Sequence, residues 1–347
     1  MTPQSPISRF PSHRLAIAAA LACGTLLTAC GGGGGSDAPP PTTVTSLSQA
    51  DATADAANAN ATGSSTASAV DSVVDTTSAL AQAVAQAAAT ATTDRSRAQG
   101  APVNTPVTNL SVDCAGGGTA TLSISGGTPA TELNGQLDAG EHYSVTYAQC
   151  TGRAGWALLN GSVEMDVTAA DQGTTPTTLA VSLTVTSLAL TLPYGSATLD
   201  GTATVSRTVV TTNGATTTTS NVTVPSATLA TMFNARSGSF TLSNLDATHT
   251  LTSVAGVTTG SQYAGSHTLS GTANGRTFSY TVSTTGNVNY DATGALASGA
   301  WTVVRADATI ATTVANGTVI ITVDDGNNGT IDNTWTFPTS QLSAAAG

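Results

Sequence analysis

The chain has no lysine, and its nine basic residues, all arginine, stand against 20 acids over 347 residues. That absence removes several chemistries at once. Walker-type phosphate loops, Schiff-base lysines, pyridoxal phosphate attachment and Ser-x-x-Lys acyl enzymes each need a lysine. The net charge is −11 for the whole chain. An acidic, lysine-free surface argues against nucleic acid as a partner and against direct docking on anionic headgroups. Aromatic residues make up only 4%, too few for the interfacial girdles of a transmembrane β-barrel. There is no Gly-x-Ser-x-Gly elbow and no His-Glu-x-x-His pair.

What is present begins with an address. Residues 1–14 carry Arg9, His13 and Arg14 and no acid, and residues 15–29, LAIAAALACGTLLTA, are uncharged and mostly apolar. A charged start followed by an apolar run too short to span a bilayer reads as an export signal over 1–29. The run ends Leu27-Thr28-Ala29-Cys30, an aliphatic residue, two small residues and a cysteine. This resembles the lipobox of bacterial lipoproteins. The resemblance implies that Cys30 is lipidated, that cleavage falls before it, and that Gly31, rather than Asp, directs the chain to the outer membrane. The alternative is an ordinary secretory signal with an incidental cysteine. Several acyl chains hold a protein to a bilayer firmly, where one alone is marginal. Gly31–Gly35 and Pro39–Pro41 follow as a flexible and then stiffer spacer.

Residues 30–66 are poor in large apolar groups and read as a tether. From 67 to 100 the composition turns helical, with Val70, Val73, Val74, Leu80 and Val84 near 3-4-3 spacing. Its stripe is mostly alanine and valine, leaving open a helix packed on the domain or a solvated stalk. Gly100 and Pro102 stop it.

Residues 103–347 form the main domain. Short runs of Thr, Ser and Val alternate between turn dipeptides, and Asn-Gly occurs at 134–135, 160–161, 213–214, 274–275, 316–317 and 328–329. Asn-Gly suits type I′ hairpins, which need positive φ at both central residues. Phe278, Tyr280 and Val282 share one strand face. Leu179, Val181, Leu183 and Val185 alternate, and Leu188, Leu190 and Leu192 continue with the phase flipped, predicting a bulge. The expectation is an all-β domain: an antiparallel meander with one apolar and one Thr/Ser face, closed as a sandwich or as a curved, rolled sheet.

Residues 137–168, LDAGEHYSVTYAQCTGRAGWALLNGSVEMDVT, and the tail ITVDDGNNGTIDNTW resemble segments of uncharacterised β-rich envelope lipoproteins of proteobacteria. That likeness implies a cell-envelope domain and no known activity.

Of four cysteines, Cys23 leaves with the signal and Cys30 is the lipidation site. Cys114 and Cys150 read as a disulfide in an oxidising compartment; a zinc site is the alternative, but two thiols with no nearby histidine pair are too few for it, and His142, eight residues before Cys150, has no partner at ligand spacing. Asp324, Asn328 and Asp332 fall at positions one, five and nine of a calcium-type loop if Gly329 is its turn glycine. Position three would be Gly326, no glutamate closes the loop, and a plain hairpin turn is the competing account. Glu164 and Asp166 share a strand face. Ser266 and His267 adjoin but face opposite ways. Trp156, Trp301 and Trp335 fit core or edge packing, or a sugar platform if exposed.

The composite expectation is a non-enzymatic lipoprotein, with the membrane as partner through its anchor and an envelope protein as a further partner. A carrier holding a lipid or other apolar ligand inside a curved sheet is the rival, and a hydrolase the weaker one.

Overall fold

A computed structural model describes residues 46–95 and 109–345, apart from 115–116, 129–130, 132–133, 152–157, 174, 193–194, 234–235 and 274–275. The signal, Cys30, Trp156 and the Asn274-Gly275 turn lie outside the described residues.

One helix precedes one sheet. α1 spans Gln49–Arg95, and the strands follow as β1 Leu110–Asp113, β2 Thr119–Ser125, β3 His142–Thr151, β4 Leu158–Asp171, β5 Thr177–Leu192, β6 Gly195–Thr212, β7 Ala215–Phe233 and β8 Arg236–Val254. The chain continues through β9 Val257–Ala273, β10 Arg276–Thr284, β11 Val288–Asp291, β12 Leu296–Arg305, β13 Ala308–Ala315, β14 Thr318–Asp325 and β15 Asn333–Pro338, and a short α2, Thr339–Ala345, closes it. The 15 strands of the described residues belong to a single antiparallel meander in sequence order, with β11 set aside to bridge β9 and β12. The all-β reading holds, and of the two closures the single sheet is the one present.

The turn chemistry explains the register. Asn213-Gly214 and Asn316-Gly317 have positive φ at both residues and join β6 to β7 and β13 to β14. Ala255-Gly256 does the same between β8 and β9, without an asparagine to announce it. Asn160-Gly161 is not a turn but lies within β4. A Cβ at Gly161 would fall 2.3 Å from the Ser187 carbonyl oxygen. Gly161 therefore packs against the β5 bulge, where register slips between Val185 and Leu188 and Ser187 takes positive φ. The phase flip in the leucine pattern marks that bulge.

The helix corrects the expected boundaries. It begins at Gln49, not 67, so residues 49–66 belong to the folded domain and not to a tether. Ser48 caps it, its hydroxyl accepting from the Asp51 amide at 3.1 Å. Ala52, Ala56, Asn60, Gly63, Ala67, Asp71, Val74, Thr77 and Ala81 form one buried stripe at three- and four-residue steps. The stripe is made of small and polar side chains, which is why apolar periodicity does not find its first half.

α1, about 70 Å long, crosses the sheet obliquely and in reverse order. Leu47 meets Asp325 of β14, and Ala56 accepts from the Trp301 indole of β12 at 3.0 Å. Asn60 bonds Tyr290 of β11, and Gly63 abuts Tyr263 of β9. Asp71 reaches β8, β7 and β6, and Ala85 touches Gly135 in the loop between β2 and β3. The helix thus runs along one face of the sheet from β14 to β6 and reaches the β2–β3 loop beyond. The buried apolar residues, from Ala52 to Leu342, form one cluster.

Candidate functional site

The chemistry-bearing residues gather in the seam between α1 and β6–β9. Register places Arg207, Ser220, His249 and Tyr263 side by side on four successive strands. All four point inward, at Asp71 and Gly63 of the helix. Arg207 forks onto the helix. One terminal nitrogen donates to the Asp71 carboxylate and, at 3.0 Å, to the Asp71 carbonyl. The other donates to Asp75 at 2.6 Å. Ser220 Oγ donates to Asp71 Oδ1 at 2.7 Å, and His249 Nδ1 lies 3.4 Å from Asp71 Oδ2.

Burial alone would raise the Asp71 carboxyl. The His249 contact and the Arg207 charge outweigh it and hold Asp71 at about 2, well below its ordinary 3.8. Burial would likewise lower Arg207, but the Asp71 and Asp75 carboxylates raise it.

Ser, His and Asp meet here, yet not in the order a nucleophile requires. The carboxylate is the hub, and the serine proton points at it rather than at the imidazole. Ser220 is 0% exposed, so no substrate reaches it. The arrangement clamps a helix to a sheet.

A second patch lies nearer the helix start. Tyr290 shares two hydrogen bonds with the Asn60 amide, at 3.0 and 3.2 Å. Tyr263 Oη and both ring nitrogens of His267 are buried and have no hydrogen-bonding partner among the described residues. A Cβ at Gly63 would lie 2.3 Å from Tyr263 Oη and 2.7 Å from His267 Cε1. Gly63 is thus a point of close approach between β9 and the helix. Burial pushes the His267 imidazole down to about 4.

The residues singled out in the sequence have other fates. Cys114 and Cys150 are disulfide-bonded, tying the end of β1 to β3. Asp324, Asn328 and Asp332 do share one loop, but their oxygens serve its backbone. Asp324 accepts from the Asn328 and Gly329 amides at 2.9 and 2.8 Å, Asn328 from the Thr330 amide, and Asp332 from the Asp325 amide. No group of three or more His, Cys, Asp or Glu fit to hold a metal occurs among the described residues. Glu164 and Asp166 are exposed on β4, Asp166 pairing with His142 across the ladder at 2.7 Å. Ser266 is exposed and His267 buried, on opposite faces as expected. Trp301 is buried and Trp335 half-buried.

Sequence reasoning missed Asp71, Arg207, Ser220 and His249 as a set. The signal was strand parity: Arg207 follows Ala203 and Val205, and His249 follows Leu245 and Ala247, on the apolar face.

No protein-family model, curated protein or solved structure matches the chain.

Proposed function

We propose that the protein is a lipid-anchored lipoprotein of the bacterial outer membrane whose β domain is a non-enzymatic structural or interaction module. The observation that carries the module reading is the position of α1. The inner face of the sheet, where a carrier would hold an apolar ligand, is occupied by this chain's own helix from β6 to β14. What remains for partners is the outer face. One transverse row there runs through Ser182, Thr204, Thr223, Asp246, Ser266, Ser283, Thr302, Ala311, Thr322 and Thr334. Nine of its ten members are polar, which suits water rather than lipid tails.

The anchor reading rests on the Leu27–Cys30 motif. Ser46 lies sixteen residues after Cys30, a reach of at most about 55 Å. Ser46 bonds Asp325, where β14 turns toward β15, so that end of the domain would stand nearest the bilayer.

Mass spectrometry of the N-terminal peptide, with membrane fractionation of Cys30→Ala, tests the anchor. An acylated Cys30 and release of the variant are expected. An unmodified Cys30, or a variant that stays in the pellet, overturns it. Native mass spectrometry of the full chain tests the module against the carrier: a co-purified apolar ligand would favour the carrier.

A further inference from the structure

α1 is held down by two polar patches of opposite character. At Asp71 each buried charge has a partner of opposite sign. Two turns nearer the helix start, His267 has none, although it is 3% exposed. Its ring lies flush against helix backbone, with a Gly63 Cβ position only 3.0 Å from Nδ1. Gly63 admits the ring because it lacks a side chain, and nothing on α1 at that level could balance a charge.

We propose that His267 is an acid-sensitive latch on α1. Neutral, the ring packs under Gly63 and lets residues 49–63 lie on β9–β14. Protonated, it drives that part of the helix off the sheet, while the Asp71 end stays docked.

The groups around the ring give a proton no counter-charge. On β9 the inward titratable neighbour is Tyr263, itself raised by burial. β10 sets Val282 opposite His267 and Tyr280 beyond it. β11 presents Tyr290, whose hydroxyl is held by Asn60. On β8, His249 stands beside Tyr263 and is engaged with Asp71. On α1, Asp71 is two turns away and satisfied by Arg207, Ser220 and His249. Asp55 is two turns the other way, paired with Arg305 of β12.

The sign follows from the direction of the shift. The docked imidazole sits at about 4, against 6.5 when freed, so docking is at full strength above 6.5 and is lost as pH falls toward 4. Between pH 7.5 and 5 the undocked form gains about 30-fold, and by pH 3 about 300-fold. Asp55 works in the opposite sense, because burial raises its carboxyl despite Arg305 and acid relieves that cost. Removing His267 separates the two effects.

The test is hydrogen exchange on the full-length chain between pH 7.5 and 4.5, corrected for intrinsic rates, in wild type and His267→Gln. In wild type, protection of residues 52–63 should fall about 30-fold at pH 5 relative to the segment around Asp71. In His267→Gln it should stay level or rise. Equal pH dependence in both proteins, or loss spread evenly along α1, overturns the latch. Should the variant fold poorly, the wild-type imidazole resonance decides: titration near 4 supports the proposal, and titration near 6.5 overturns it. The outcome does not depend on lipidation, so it stands or falls apart from the anchor.

Discussion

Arg207→Met is the perturbation that most directly tests how the helix is held. Arg207, Asp71 and Ser220 are buried together, and methionine fills much of the arginine stem's volume without its charge. The change leaves the Asp71 carboxylate buried with Ser220 and His249 alone. Breaking one side of a buried pair costs about 3–5 kcal/mol, because the remaining charge keeps its desolvation cost and loses its partner. The second half of the cycle is Asp71→Leu with Arg207→Met. It removes both charges, and such replacements range from neutral to stabilising, so the double variant should recover most of the loss. Titration gives an independent check. Holding Asp71 at about 2 instead of 3.8 contributes about 2.5 kcal/mol at neutral pH. The folded value is depressed, so this contribution is present above pH 4 and is lost as pH falls toward 2. In Arg207→Met the acid-side loss should shrink. Urea denaturation at pH 7 and at pH 3 reads all of this. A loss below about 1 kcal/mol for Arg207→Met, or a double variant no better than the single, would refute the view that the cluster clamps α1 to β6–β8.

Three further outcomes follow from the same structure. Tyr263→Phe deletes a buried hydroxyl that has no partner among the described residues, and thermal denaturation should find the variant more stable by about 1 kcal/mol, because an unpaired buried polar group costs about that much or more. Gly63→Ala should destabilise despite alanine's better helix propensity, since overpacking costs about 1–3 kcal/mol against a gain of about 1. Adding Tyr263→Phe should restore part of that loss, as the Tyr263 hydroxyl is the atom closest to the new methyl. Reducing Cys114–Cys150, 36 residues apart, should cost roughly 3–4 kcal/mol in urea melts, and matching melts with and without reductant would refute it.

Particular residues show how far the sequence could be read. The meander was legible because period-two alternation and Asn-Gly turns are local signals, and at Leu188 even a bulge was written in the phase of the leucines. The first half of α1 was not. Its buried stripe, Ala52, Ala56, Asn60, Gly63 and Ala67, carries almost no hydrophobic contrast, and composition alone reads it as linker. Tertiary contact overrides the local signal there: small side chains let the helix approach the sheet closely, and the aromatic bulk comes from Tyr263, Tyr290 and Trp301 on the strands. The Asp71 clamp was illegible for a related reason. Its members are up to 178 positions apart, and only register between non-neighbouring elements brings them together.

The placement of long and short strands completes the physical account. A 15-stranded sheet with one apolar face needs a second layer along its whole width. A compact partner would cover part of it, whereas one helix laid obliquely covers strands from β6 to β14 with a single element. The longest strands, β7 and β8 at 19 residues each, lie mid-sheet where the Asp71 clamp holds the helix, and the sheet tapers to β1 at 4 residues and β15 at 6. Short edges offer little backbone for another chain to pair with, and β15 ends on Pro338, which has no amide hydrogen to donate. The middle of the sheet is secured by the helix and its margins by their brevity. Because α1 precedes every strand in the chain yet touches the late strands first and the early strands last, the two ends of the meander share one core through the helix. Loosening α1 anywhere along its length therefore uncovers apolar surface belonging to strands far apart in sequence.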